Sequence, residues 1–149
     1  MTSWLGTPLP RKEDPALLTG AVRFIDDMAP VPGIAHVALL RSPHAHARIR
    51  SIDTVVALEM EGVIGIVTGA ELAEGLRPLA NALRAPMTYY PMAVDVARYV
   101  GEPVALVAAV DRYLAEDALE AILVDYEPLS AVVDPVAAAG DDAPKVHES

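Results

Sequence analysis

Histidine spacing offers the first candidate chemistry in this sequence. His44 and His46 are two apart, so on an extended strand both imidazoles would point to one side, as two ligands of a metal would, with His36 just upstream. A mononuclear site needs at least three well-placed ligands and a supporting outer shell, and no Asp or Glu of matching spacing stands beside these rings. We therefore assign no metal site here. The imidazoles are expected to hydrogen-bond backbone or carboxylate at a bend after Pro43. Among the carboxylates, Glu102 sits between Gly101 and Pro103 at a turn, where the sequence supplies it with no partner. Glu116 and Glu120, at i and i+4 on a helix with Asp117 between them, form a solvated face. There is no glycine-rich phosphate loop, no Gly-x-Ser-x-Gly elbow and no paired histidine–glutamate zinc motif. No catalytic or cofactor-binding residue is assigned to this chain.

A second candidate lies in the irregular stretch from Arg77 to Pro91, which has prolines at 78, 86 and 91. It is too irregular for a long helix and too long for a tight turn, and loops of that kind tend to be functional. Met87, Tyr89 and Tyr90 within it are suited to line an apolar entrance or to pack on a partner. The simpler expectation is a loop held down by its own aromatics.

Elements that would position these residues follow from periodicity. The apolar run from Arg98 to Val110 reads as a strand, and Asp111 is the natural N-cap of the helix after it. Leu114, Ala118, Leu119 and Ile122 recur at spacings of three and four, marking one buried face. Leu123-Val-Asp-Tyr-Glu127 is a strand stopped by Pro128. Upstream, Ala21 to Ile25 suggests a short strand, and Ile34 to Leu40 a strand covered on both faces. A helix is expected from Asp53 or Thr54, with Val56, Leu58 and Met60 buried and Gly62 as its stop. Val63 to Val67 is a further strand, followed by a short helix over Ala70 to Gly75. This alternation indicates a mixed α/β layer architecture.

Composition narrows the function classes. The chain has 149 residues, enough for one domain with a hydrophobic core, and a formal net charge of −10. Such a field repels phosphate backbones and anionic lipid heads, so nucleic acid and membrane are poor partners. With no cysteine, disulfides, thiolate nucleophiles and iron–sulfur clusters are excluded from the chain. No apolar run approaches the roughly 20 residues that span a bilayer, and no signal-peptide pattern opens the sequence. A cytoplasmic location is expected. Trp4, the only tryptophan, is expected to bury its ring against a surface.

Several motifs carry a resemblance. Val100-Gly-Glu-Pro-Val-Ala105, Ala115-Glu-Asp-Ala118, Val124-Asp-Tyr-Glu-Pro-Leu129 and Val132-Val-Asp-Pro135 resemble the first domain of molybdenum hydroxylase large subunits. That family includes carbon monoxide dehydrogenases, aldehyde oxidases and xanthine dehydrogenases. Upstream, Arg11, Glu13 and Asp14, Leu18-Thr-Gly20, Asp26-Asp27, Arg41-Ser-Pro-His-Ala-His-Ala-Arg-Ile49, Ser51-Ile-Asp53, Gly62-Val63 and Thr68-Gly69 match in the family's order. The spacing as a whole is most like the carbon monoxide dehydrogenase and bacterial aldehyde oxidase branch.

The resemblance implies an α+β fold, the α/β hammerhead, with mixed strands and two main helices. It divides the chain into an extended arm (1–19), the hammerhead (20–133) and an exit linker (134–149). It implies a hydroxylase whose molybdenum-pterin cofactor, and the glutamate base assisting it, lie in portions beyond this domain. Iron–sulfur clusters and FAD would be on partner chains. The expected partners are the molybdenum-binding portion, an iron–sulfur subunit and a flavin subunit. Met87, Tyr89 and Tyr90 become substrate-channel candidates, because the loop before the Val-Gly-Glu-Pro strand approaches the substrate funnel in that family. An apolar docking patch near Trp4, Met87 and the tyrosines is expected, and with it a tendency of the isolated chain to self-associate. The alternatives are a free-standing, non-catalytic module that binds a partner or small molecule, and a small metalloprotein using His44 and His46.

Overall fold

A computed structural model describes residues 6, 8–29, 31–79 and 87–147. These fall into two compact units, Met1–Ile34 and Ala35–Ser149. The first holds α1 (Asp14–Leu18) and a single 3-10 turn over Ile25–Asp27. The strand expected at Ala21 to Ile25 does not form. Instead, the Phe24 N–H donates to the Asp27 carboxylate at 2.9 Å, which turns the chain where a ladder partner is lacking. Trp4 lies outside the described residues.

The second unit is built from two three-stranded sheets. One has the order β1 (His36–Arg41), β5 (Pro103–Ala109), β3 (Val63–Thr68). The other has the order β4 (Val96–Ala97), β2 (Ala47–Asp53), β6 (Leu123–Pro128). Every pairing is antiparallel. Short helices α2 (Val55–Leu58) and α3 (Gly69–Gly75) flank β3, and α4 (Arg112–Glu120) joins β5 to β6. The α+β hammerhead expectation is met, with the strand–helix–strand unit linking two sheets rather than completing one.

The main core lies where α2 and α4 meet the first sheet. Ala105, Val107, Ala57, Ala118 and Ile122 are buried together, with Ile52 and Val124 of the second sheet packed against them. Asp111 caps α4 as its position suggests, accepting the Leu114 N–H at 2.9 Å. Glu116, Asp117 and Glu120 are exposed on its outer face. In α2 the buried residue is Ala57, while Val56 and Leu58 are exposed. A helix of one turn presents a single small contact to the core, and of the three residues expected inside only Met60, just past the helix, packs against it. Gly62 ends this segment at φ +91, where a Cβ would sit 2.7 Å from Leu114.

One face of β1 is largely open, contrary to the expectation of cover on both faces from its unbroken apolar run. Its side chains alternate between half-buried and exposed, and Val37 is 56% exposed. The helices α2 and α4 both lie on the side of Ala38 and Leu40. On the other side, Leu72 of α3 and Leu76 just after it form an apolar groove of about 320 Å³ with Leu39, Val67 and Leu106.

Candidate functional site

Construction of the site begins at a steric closure between two backbones. α3 starts at Gly69, and a Cβ there would lie 1.8 Å from the Ala93 carbonyl oxygen, so only glycine allows this approach. Thr68 caps the helix: its hydroxyl accepts the Glu71 N–H at 3.3 Å, and the Glu71 carboxylate accepts the Thr68 N–H at 2.8 Å. Hydrogen bonds to Thr68 hold the Glu71 carboxyl below its ordinary value. From Ala93 the chain is tied to both sheets. Ala93 N–H donates to Pro103 O at 2.8 Å, and Ile49 N–H donates to Asp95 O at 2.8 Å.

The turn between β4 and β5 is anchored from outside. Pro103 stands opposite Arg41, where the ladder shifts register, and the Arg41 guanidinium donates to Gly101 O at 2.8 Å. Gly101 N–H donates to Ser42 O at 2.8 Å, and Ser42 N–H donates to Glu102 O at 2.9 Å. Gly101 itself takes φ +89, a conformation that favours glycine. The turn aims the Glu102 side chain inward. It is only 5% exposed, and Oε2 accepts the Arg98 backbone N–H. Glu102 thus has the partner that the sequence did not reveal. That bond closes across the turn, and its signal in the sequence is the Gly–Glu–Pro triplet, which combines a special backbone conformation with a residue lacking an N–H.

Beside this turn lies a cavity of about 510 Å³, and the three channel candidates Met87, Tyr89 and Tyr90 all line it. Arg98, Tyr99 and Glu102 form the facing wall, Met92, Val94 and Asp95 continue it, and Val146 and His147 reach it from the C-terminal segment. Sequence reasoning named the loop side of this cavity and missed the turn side. Leu79 N–H donates to Tyr89 O at 2.8 Å, which ties the tyrosine loop to the end of α3. Partial burial, the Glu102 charge and Tyr89 together push the Tyr99 phenol above its ordinary value, with Arg41 acting weakly in the opposite sense. The cavity has the size, the apolar aromatic wall and the few convergent polar groups of a small-molecule site.

The histidines go elsewhere. Residues 42–46 form a bend between β1 and β2, so His44 and His46 do not sit on an extended strand. His46 is buried and its Nδ1–H donates to Ser130 O at 2.8 Å. His44 packs on Tyr126, ring centroids 4.8 Å apart and planes tilted by 59°. Burial raises the Tyr126 phenol, partly offset by the Ser42 hydroxyl. Among the described residues no group of three or more His, Cys, Asp or Glu is placed to hold a metal ion.

With this geometry, residues 19–130 match the family described as aldehyde oxidase and xanthine dehydrogenase, a/b hammerhead domain. The chain belongs to that family. The hammerhead is 41% identical over 145 residues to the 6-hydroxypseudooxynicotine dehydrogenase complex subunit gamma of Paenarthrobacter nicotinovorans, covering 89% of this chain and 18% of that one. It is 38% identical over 148 residues to the carbon monoxide dehydrogenase large chain of Afipia carboxidovorans, covering 97% and 18%. Its fold matches the crystal structure of quinoline 2-oxidoreductase from Pseudomonas putida 86 with a TM-score of 0.78 at 44% identity, covering 93% of this chain and 18% of that one. The hammerhead therefore spans less than a fifth of the length of each of these relatives.

Proposed function

We propose that this chain serves as the hammerhead part of a molybdenum-dependent hydroxylase or dehydrogenase. In that role it shapes the substrate entrance and helps hold the assembly together, without a complete active site of its own. The observation that carries the entrance role is the convergence of Met87, Tyr89 and Tyr90 with the Gly101–Glu102 turn on one cavity. Family membership supplies the rest. The assembled enzyme would carry a molybdenum-pterin cofactor in the following portion of the large subunit, with iron–sulfur clusters and FAD on partner chains, in the cytoplasm. No described helix is long and apolar enough to cross a membrane. The role proposed for this chain is binding and positioning.

Two experiments test this. The chain is purified from its native host at low salt, and its companions are identified by mass spectrometry and metal analysis. Recovery with a molybdenum-containing chain and flavin and iron–sulfur subunits is expected. Recovery alone and metal-free would favour a free-standing binding module, the alternative that the cavity also accommodates. In the assembled enzyme, Tyr89→Ala with Tyr90→Ala should raise KM several-fold and leave kcat and molybdenum content near those of the unaltered enzyme, as expected when uniform binding is lost. An unchanged KM would remove the entrance role.

A further inference from the structure

The charged groups around the cavity are unevenly committed. Asp95, Arg98 and Glu102 line it, and His147 adds an imidazole. Both terminal nitrogens of the Arg98 guanidinium have other partners. Nη1 donates to Val96 O at 2.9 Å and Nη2 lies 3.7 Å from Asp95 Oδ1, while Nε is buried with no hydrogen-bond partner among the described residues. Arg41 stands behind the turn, donating to the Gly101 carbonyl. Glu102 is different: the partner of its Oε2 is a neutral backbone N–H. Among the described lining residues one cation is set against two carboxylates, a net negative balance, and the chain as a whole carries −10. Burial first, then the Glu102 charge, push the Tyr99 phenol at this wall upward, with Arg41 opposing. Aromatic rings beside a poorly compensated carboxylate in a partly desolvated cavity favour a cation, through the ring quadrupoles and through charge pairing.

We propose that the cavity walled by Tyr89, Tyr99 and Glu102 is a recognition pocket for a protonated amine carried on an aromatic or apolar body, with Glu102 as its counter-ion. The proposal rests on the entrance role only in placing a ligand at this cavity. It adds the charge of that ligand. Anionic ligands of the same shape would be turned away by the uncompensated carboxylate.

The test is an amide NMR titration of the 149-residue chain with benzylamine, benzyl alcohol and benzoate at pH 7. Benzylamine should shift the amides of Tyr89, Tyr90 and Arg98 to Glu102 saturably, and bind about tenfold more tightly than benzyl alcohol. Benzoate should bind least. Glu102→Gln keeps an oxygen for the Arg98 N–H and should reduce benzylamine to the affinity of benzyl alcohol, while Asp95→Asn should leave most of the preference. Equal binding of all three probes would overturn the charge selection and leave the entrance role standing. Binding of none, tighter binding of benzoate, or a preference that survives Glu102→Gln would each overturn the proposal. Should Glu102→Gln fail to fold, the ranking of the three probes on the unaltered chain decides. Failure of the entrance role appears separately, as an unchanged KM in the tyrosine variants.

Discussion

At the scale of single residues, Gly69 and Glu102 carry the site. Gly69 has no space for even one methyl group, because the obstacle is the Ala93 backbone rather than a side chain that can rotate away. Gly69→Ala should therefore cost about 3 kcal/mol, at the upper end of overpacking effects, measured as a lowered urea midpoint with unchanged slope. The amides of Met92 and Val94 should move with it. Tyr99 offers a titration. Its phenol is raised by partial burial and by Glu102, so the folded form holds the proton more tightly than the unfolded form. The corresponding stability is present below pH 10 and is lost as pH rises through the folded value. Ultraviolet titration should find this tyrosine among the last to ionise, and Glu102→Gln should bring it down. Neither residue stands out in the sequence by type alone. Gly69 is legible only as a turn after Thr68, and the Gly–Glu–Pro triplet marks the turn at Glu102 but not the ladder shift opposite Pro103.

Helices and strands were legible in proportion to how much of their environment lies within their own sequence. For α4, cap, buried face and solvated face all follow from one window of residues, and the structure has them where periodicity puts them. The strands after Gly62 and before Pro128 are equally plain. For β1 the sequence gives composition but not neighbours: α4 packs on the Leu40 side, while on the other side α3 packs over β3 and β5 and leaves Val37 open. The Ala21 to Ile25 segment failed for a related reason, since a strand needs a partner that the described chain does not bring to it. At α3 the cap itself makes a prediction. Hydrogen bonds to Thr68 lower the Glu71 carboxyl, so this contribution to stability is present above its unfolded value and disappears as pH falls through the depressed one. Protection of the α3 amides, taken relative to their intrinsic exchange, should fall as acid protonates Glu71, and Thr68→Ala should cost about 1 kcal/mol at neutral pH. Protection in α3 that is insensitive to acid would argue that the capping carboxylate contributes nothing.

For the whole molecule, the exposed side of the first sheet matters most. Val37, Leu39 and Ile64 leave apolar surface open beside the groove formed with α3. This open apolar surface on the outer face of the first sheet is distinct from the cavity lined by Met87 and the tyrosines. Exposed contiguous apolar surface drives association, and the net charge of −10 opposes it. Sedimentation of the purified chain should show self-association that strengthens with salt, as charge repulsion is screened. Val37→Glu with Ile64→Glu should restore a monomer. A monomer at high salt without those changes would mean that the face is too small or too interrupted to be sticky.

The closure between Gly69 and Ala93 also has a consequence for how such a domain can diversify. The chain leaves the scaffold at one backbone contact and returns at the other, and the return is fastened to both sheets through Ala93 and Asp95. Between those two points α3 packs on the first sheet, and the connection that follows it is fixed at both ends. Lengthening it costs little, because closure entropy grows only with the logarithm of loop length. Segments exchanged between Gly69 and Ala93 among relatives should therefore remodel the tyrosine side of the cavity while the Gly101–Glu102 side stays in place, so one half of the pocket is free to drift against a constant other half.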